Sequence, residues 1–398
     1  INERNSNIVE ILQAGARFPD KNGAMIDTFH LTPNPEYGYQ GCGKEDPAHG
    51  YNDGRVHLNG DKMDGWLGTI GDANVATDKF PVGYYTADDL PFFKGVAENF
   101  TICDRYFHGI LSSTFPNRVY LHAGETDRNS NTTTTSTLPT IWERLAAKNA
   151  TGKYYFHDLP VTGLWGEKHL NISYRFENFL ADAAAGQLPN LSIIDPRFVG
   201  EAPNGVTNDD HPQADIRNGQ AFLASVYDAL RASPQWEKTL YVICYDEWGG
   251  FYDHVVPGFG PVSANEGEFN DGRLGFRVPA TILGPRAKRG HVSHLPLDVN
   301  SIVNMICWRF GAEAPGPRAA TSLNMAHALN LSGAPDASAP DFAVPLGPFG
   351  EECTTGGPVP FPNLPGAPAS MSAQLKLIQH NAEWLALGEK AKAHGFML

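Results

Sequence analysis

Hydrophobic and polar positions alternate between helix-like and strand-like periods over residues 86–310, with little periodic order before and after. The clearest strand signal is the uncharged run 240–244, LYVIC, which reads as a strand buried on both faces of a parallel sheet. Further strands are predicted over 100–103, 153–156, 192–194 and 280–283. Helices are predicted over 90–98, with Thr86 as cap and Pro91 in the first turns, from Pro116 onward, and over 140–148. A stronger helix carries Ile216, Phe222, Leu223, Val226, Tyr227 and Leu230 on one face and stops near Ser233-Pro234. The helix 301–310 takes Asn300 or Ser301 as its cap and ends at Gly311, and 373–387 closes the chain as an amphipathic helix. This order predicts an α/β fold with a mostly parallel sheet covered on both faces. We expect residues 1–310 to form one α/β domain, loop-rich over 1–85. Residues 311–398 then form an irregular Pro/Gly-rich arm and a last helix packed on that domain.

Polar residues with chemistry to offer fall at the edges of these elements. Asp246 and Glu247 end the 240–244 strand, where open α/β sheets place ligands. Adjacent carboxylates at such an edge need a positive neighbour, and a divalent cation is the simplest; the other reading is a loop cap. Gly249 and Gly250 permit a sharp turn and a close backbone approach, and Asp253-His254 return an acid and an imidazole to the same rim. Asp46 and His49 sit in the turn-prone DPAHGYNDG, either as a catalytic pair or as a solvated turn. Asp209, Asp210 and His211 stand before the 216–230 helix. Thr114 falls at or just before a helix N-terminus, a place suited equally to a helix cap and to a hydroxyl that attacks phosphorus.

Charge narrows the partners. With 30 basic against 44 acidic residues the formal net charge is −14, which argues against nucleic acid and anionic membrane surfaces. A zwitterionic lipid head or a small phosphate ester stays open, and no protein partner is evident. No apolar run reaches the roughly 20 residues that span a bilayer, so no integral membrane association is predicted. The five cysteines include no Cys-x-x-Cys pair. Cys244 and Cys307 read as core, and one disulfide among Cys42, Cys103 and Cys353 is open in an oxidising compartment. A start at Ile1 without methionine suggests a processed or trimmed chain, and a secreted or periplasmic location is the expectation; the Asn-X-Ser/Thr sequons, Asn131 among them, are no more than chance supplies.

Five ordered motifs, GYYTADDLPFF, CDRYFHGILSSTFPNR, DDHP, YDEWGGFYDHV and GFRVPATILGPRAKRG, resemble the phospholipase C and acid phosphatase family of the alkaline-phosphatase-like superfamily. The resemblance covers about 41–311. It implies a three-layer α/β/α sandwich and metal-dependent hydrolysis of a phosphate ester or phospholipid head group through a phosphothreonine. By the same resemblance Thr114 is the nucleophile, and Asp246 and Glu247 bind the metal with it. His49 and His211 surround the phosphoryl group, with Asn117, Arg118, Asp210 and His254 binding substrate. Oxygen ligands suit Mg²⁺, Ca²⁺ or Mn²⁺, and His254 in the shell would bring in Zn²⁺. Trp248, Phe251, Tyr252 and Tyr85 are either a cage for a choline head or core aromatics.

The family's Glu-Asn-x-Ser-Phe-Asp segment, which completes its metal shell, has no counterpart here. Asn2-Glu3 reverses the order. The alternative expectation is therefore a catalytically impaired or truncated member that binds an anionic or lipid head group without turnover.

Overall fold

The computed structural model describes residues 15–41, 44, 46–68, 79–198, 207–350 and 371–398, the last of these by backbone alone up to residue 381. Asn2 and Glu3, Cys42 and Cys353 lie outside the described residues.

Strands and helices alternate as the hydrophobic pattern predicts, giving a mixed α/β fold. A three-stranded sheet is wholly parallel, in the order Ser173–Arg175, Gly152–Phe156, Leu191–Ile194. A four-stranded sheet runs Tyr241–Cys244, Ala280–Leu283, Thr101–Cys103, His291–Ser293. Its first two pairings are antiparallel and its last is parallel. The strand Tyr241–Cys244 therefore departs from expectation. It pairs antiparallel with Ala280–Leu283 at the end of that sheet and is half-buried at three of its four positions. An uncharged run of this length is equally compatible with either partner direction, because apolarity reports burial and not hydrogen-bond pattern.

Local rules explain most helix ends. Ile216–Ala232 buries Leu223, Val226, Tyr227 and Leu230, and Asp215 caps it by accepting from the Arg217 N–H at 3.0 Å. Thr140 and Glu143 close a capping box on Ile141–Ala146. Two cap expectations are corrected. Pro91–Asn99 begins after Leu90, while Thr86 hydrogen-bonds to Asp89 by both backbone N–H and hydroxyl. Val299–Phe310 is capped by Asp298, whose carboxylate accepts from the Asn300 and Ser301 N–H groups, a stronger acceptor than either predicted residue. Gly311 ends that helix at φ 63°, as expected.

One continuous apolar core runs from Phe18 to Leu387 and draws in the arm after residue 311. Phe342 stacks on Tyr227 at 5.0 Å, and Arg318, 1% exposed, reaches the Gly109 carbonyl at 2.9 Å. The last helix, Met371–Ala393, seats Trp384 and Leu387 in the core. Cys103 and Cys307 are buried free thiols and Cys244 is a half-buried one, so Cys103 takes no part in a disulfide. Among the described residues no helix is long and apolar enough to cross a membrane.

Candidate functional site

Loops and element ends bring Thr114, Arg118, Asp210, His211, Asp246 and Glu247 to one cavity of about 1300 Å³. Thr114 is the first residue of the helix Thr114–Ala123, and Ser113 is the residue ahead of it with extended backbone. The cap bond to this helix comes from elsewhere in the chain: Asn131 Oδ1 accepts from the Phe115 N–H at 2.7 Å. Thr114 is therefore inside the helix's first turn and not its cap, with the helix dipole directed at the cavity.

Asn117 departs from its predicted role. Its side chain is 2% exposed, and its amide nitrogen donates to the carbonyls of Ile110, Ser112 and Ser113 while its oxygen accepts from the Ile110 N–H. It holds the turn before Thr114 in shape and has no donor to spare for a substrate. His254 is not among the residues that line the cavity; its ring lies 3.7 Å from Asp253 and 3.4 Å from Arg277, which are. Burial and Arg277 lower its pKa.

The acidic strand end finds its positive charge within the protein. Arg118 Nε lies 2.7 Å from Asp246 Oδ2, and its Nη1 lies 2.6 Å from Asp195 Oδ1. Asp195 also accepts from the Tyr154 hydroxyl. Asp195 directly follows the half-buried strand Leu191–Ile194, the same kind of strand-end position as Asp246. Glu247 faces His49, Oε1 to Nε2 at 4.0 Å, and its other oxygen accepts from the Gly249 N–H at 2.7 Å. Burial opposes charge on His49, but Glu247 and Asp46 outweigh it and hold its pKa up at about 9. Burial also pushes Glu247 upward, to about 7. His211 is shifted the other way, lowered chiefly by burial.

The paired glycines act as their spacing suggested. Gly249 and Gly250 have φ of 59° and 78°, and a Cβ on Gly250 would lie 2.5 Å from Pro47 Cβ. This approach sets the 246–250 turn against the loop that carries Asp46 and His49. His49 Nδ1 donates to the Pro47 carbonyl at 2.7 Å, which leaves Nε2 toward Glu247. The 207–215 loop completes the group: His211 Nε2 is 3.7 Å from Asp46, and the His49 and His211 rings are 6.2 Å apart. Asp210, at φ 62°, accepts from the Tyr245 hydroxyl, and burial raises its pKa to about 7.

One donor set brings its atoms close enough for a divalent cation. Asp46, His49 and His211 offer one oxygen and two nitrogens within 4.8 Å of one another. Asp246, Glu247 and Thr114 line the cavity as oxygen donors, and each carboxylate oxygen that already accepts one hydrogen bond keeps a second lone pair. The aromatics divide. Trp248, Phe251, Tyr252 and Tyr85 all line the cavity. Trp248, 6% exposed and stacked on His108, is core, while Tyr252 is half-buried and packs edge-on against Phe18 and Trp66.

Comparison with known proteins identifies the family. The profile of the phosphoesterase family matches residues 6–313. Non-specific phospholipase C3 of Arabidopsis thaliana is 32% identical over 304 residues, 70% of this chain and 57% of its own length. Phospholipase C B of Mycobacterium tuberculosis strain H37Rv is 28% identical over 356 residues, 75% of this chain and 66% of its own. The chain thus spans roughly half to two thirds of these relatives. Likeness to solved structures is looser: an alkaline phosphatase superfamily protein from Vibrio parahaemolyticus is 12% identical, over 57% of this chain and 62% of its own, at a TM-score of 0.37. With the family profile matched over most of its length, this chain belongs to the phosphoesterase family.

Proposed function

We propose that the chain hydrolyses phosphate esters, of the phospholipase C or broad-specificity phosphatase type, by two in-line displacements at Thr114. The observation that carries this reading is a threonine at a helix N-terminus lining one cavity with Arg118, His211 and the Asp246/Glu247 carboxylates. In the first displacement Thr114, as the alkoxide that the helix N-terminus favours and that the second displacement regenerates, bonds to phosphorus as the bond from phosphorus to the alcohol oxygen breaks. The leaving oxygen takes a proton from the His49/His211 pair, where His49 stores it and His211 lines the cavity. Water then attacks the phosphothreonine, gives its proton to neutral His211, and Thr114 is released. Arg118 and the helix N-terminus set positive charge beside the phosphoryl oxygens, the larger part of catalysis in such transfers.

Asp246, Glu247 and Thr114 would hold a divalent cation, which would supply Lewis-acid charge and favour the Thr114 alkoxide. The compact Asp46/His49/His211 set favours a second reading, in which the ion takes imidazole nitrogens.

The test is turnover of p-nitrophenyl phosphate and p-nitrophenyl phosphorylcholine, with and without chelator, by the protein and its Thr114→Ala variant. The account predicts turnover that falls about a thousandfold or more without the hydroxyl. Binding of the esters without any turnover would leave a head-group binder in its place.

A further inference from the structure

The helix that carries Thr114 does not supply its own cap. Ser113 makes no side-chain bond to it and Pro116 has no N–H, so the Phe115 N–H is the first-turn donor that has to be met from outside. Asn131 Oδ1 meets it at 2.7 Å, from a loop clamped on two sides. Arg128 Nη2 donates to the Thr134 carbonyl at 2.9 Å, while Lys390 Nζ of the last helix donates to the Thr133 carbonyl at 2.5 Å and to Thr135 Oγ1 at 2.9 Å. The same helix supplies Glu383, whose Oε2 accepts from Asn131 Nδ2 at 2.8 Å. Its neighbour Trp384 is core, 3% exposed and packed on Phe115 and Phe198, which fixes where Glu383 stands. All of this helix lies past residue 313, where the family match ends.

An asparagine amide has a donor end and an acceptor end, and the two neighbours of Asn131 leave it one arrangement. The Phe115 N–H needs the oxygen, and the Glu383 carboxylate needs the nitrogen. A turned amide would set donor against donor and acceptor against acceptor. Thr114 directly precedes Phe115 in the turn that this cap holds, so losing the cap lets the hydroxyl leave its line on phosphorus. A displacement of about 1 Å at a reacting atom costs on the order of a hundredfold in rate. We infer that Asn131 and Glu383 are positioning residues for Thr114: Glu383 fixes the orientation of the Asn131 amide, and that orientation holds the first turn of the nucleophile's helix. This rests on the reading that Thr114 attacks phosphorus.

The experiment reverses the polarity of the contact. Glu383→Lys puts a donor where an acceptor stood, so the Asn131 amide turns and its nitrogen meets the Phe115 N–H. Adding Asn131→Asp gives a side chain with an oxygen for both neighbours, which restores the cap. Hydrolysis of p-nitrophenyl phosphate gives kcat and KM for the protein, Glu383→Lys and the double variant. Amide exchange of Phe115, measured by NMR, follows the cap without any turnover. The inference predicts that Glu383→Lys lowers kcat about tenfold or more, leaves KM within about threefold and unprotects the Phe115 amide. The double variant regains both kcat and protection. An unchanged kcat in Glu383→Lys, or a double variant no better than the single one, would overturn the inference. A cap lost and regained with no turnover in any of the three proteins would keep the contact and discard the hydrolytic reading.

Discussion

Arg118 holds Asp246 through Nε at 2.7 Å while its Nη1 holds Asp195 at 2.6 Å, so one guanidinium neutralises two carboxylates from different strand ends. Removing one member of a buried ion network strands the others, at a cost of about 3–5 kcal/mol. Arg118→Ala is therefore predicted to lose stability of that order in urea unfolding, along with activity. Arg118→Lys keeps the charge without the fork that spans both acids and is predicted to fall between. A stability change in Arg118→Ala below about 1 kcal/mol, as for an exposed ion pair, would contradict this account of the strand end.

Gly250 presses on Pro47 in a conformation that L side chains rarely adopt. Gly250→Ala must push the Asp46/His49 loop away, and such strain costs about 1–3 kcal/mol. Reduced turnover with a matching drop in melting temperature is the predicted outcome. Wild-type turnover in this variant would show that the two loops need not meet.

Stability is predicted to fall in acid because of buried neutral histidines. Burial lowers His108 to about 4, His122 to about 3 and His169 to about 4, and each is nearly inaccessible. Unfolded histidine titrates near 6.5, so below that pH the unfolded chain binds protons that the folded chain refuses. Their contribution is complete above pH 6.5 and is lost as pH falls toward 4, by about 1.4 kcal/mol per unit for each. Unfolding free energies measured between pH 7 and 4.5 check this, and a flat profile would contradict it.

Metal binding separates the two donor sets. With the ion on Asp246, Glu247 and Thr114, Asp246→Asn is predicted to weaken Mn²⁺ binding by calorimetry at least tenfold, while His211→Ala leaves it within a few-fold. The reverse pattern would move the ion to Asp46, His49 and His211.

Much of the site was legible because its residues occupy element edges. Asp246-Glu247 after an apolar run, paired glycines, and Asp210-His211 before an amphipathic helix all mark positions that physical rules tie to ligands. What pairs with what was not legible. Arg118 and Asp246 are 128 residues apart, and nothing in local pattern announces that a guanidinium reaches that carboxylate. Asn117 is a substrate ligand by the family resemblance alone; three backbone carbonyls claim its donors instead, and only the turn's shape reveals them. Strand direction was likewise hidden, since Tyr241–Cys244 is apolar whichever way its neighbour runs. Trp384 lies 270 residues from Thr114 in a helix that pattern identified as amphipathic and no more.

The central claim is that Thr114 becomes covalently phosphorylated. The most direct measurement is acid quench of the protein within one turnover of p-nitrophenyl phosphate, followed by intact mass and peptide mapping. The account predicts a gain of one phosphoryl group on the peptide containing Thr114, absent from Thr114→Ala, together with a burst of p-nitrophenol matching the enzyme concentration wherever the second displacement is slower. Turnover that persists in Thr114→Ala, or a phosphoryl group found on another residue, would contradict it.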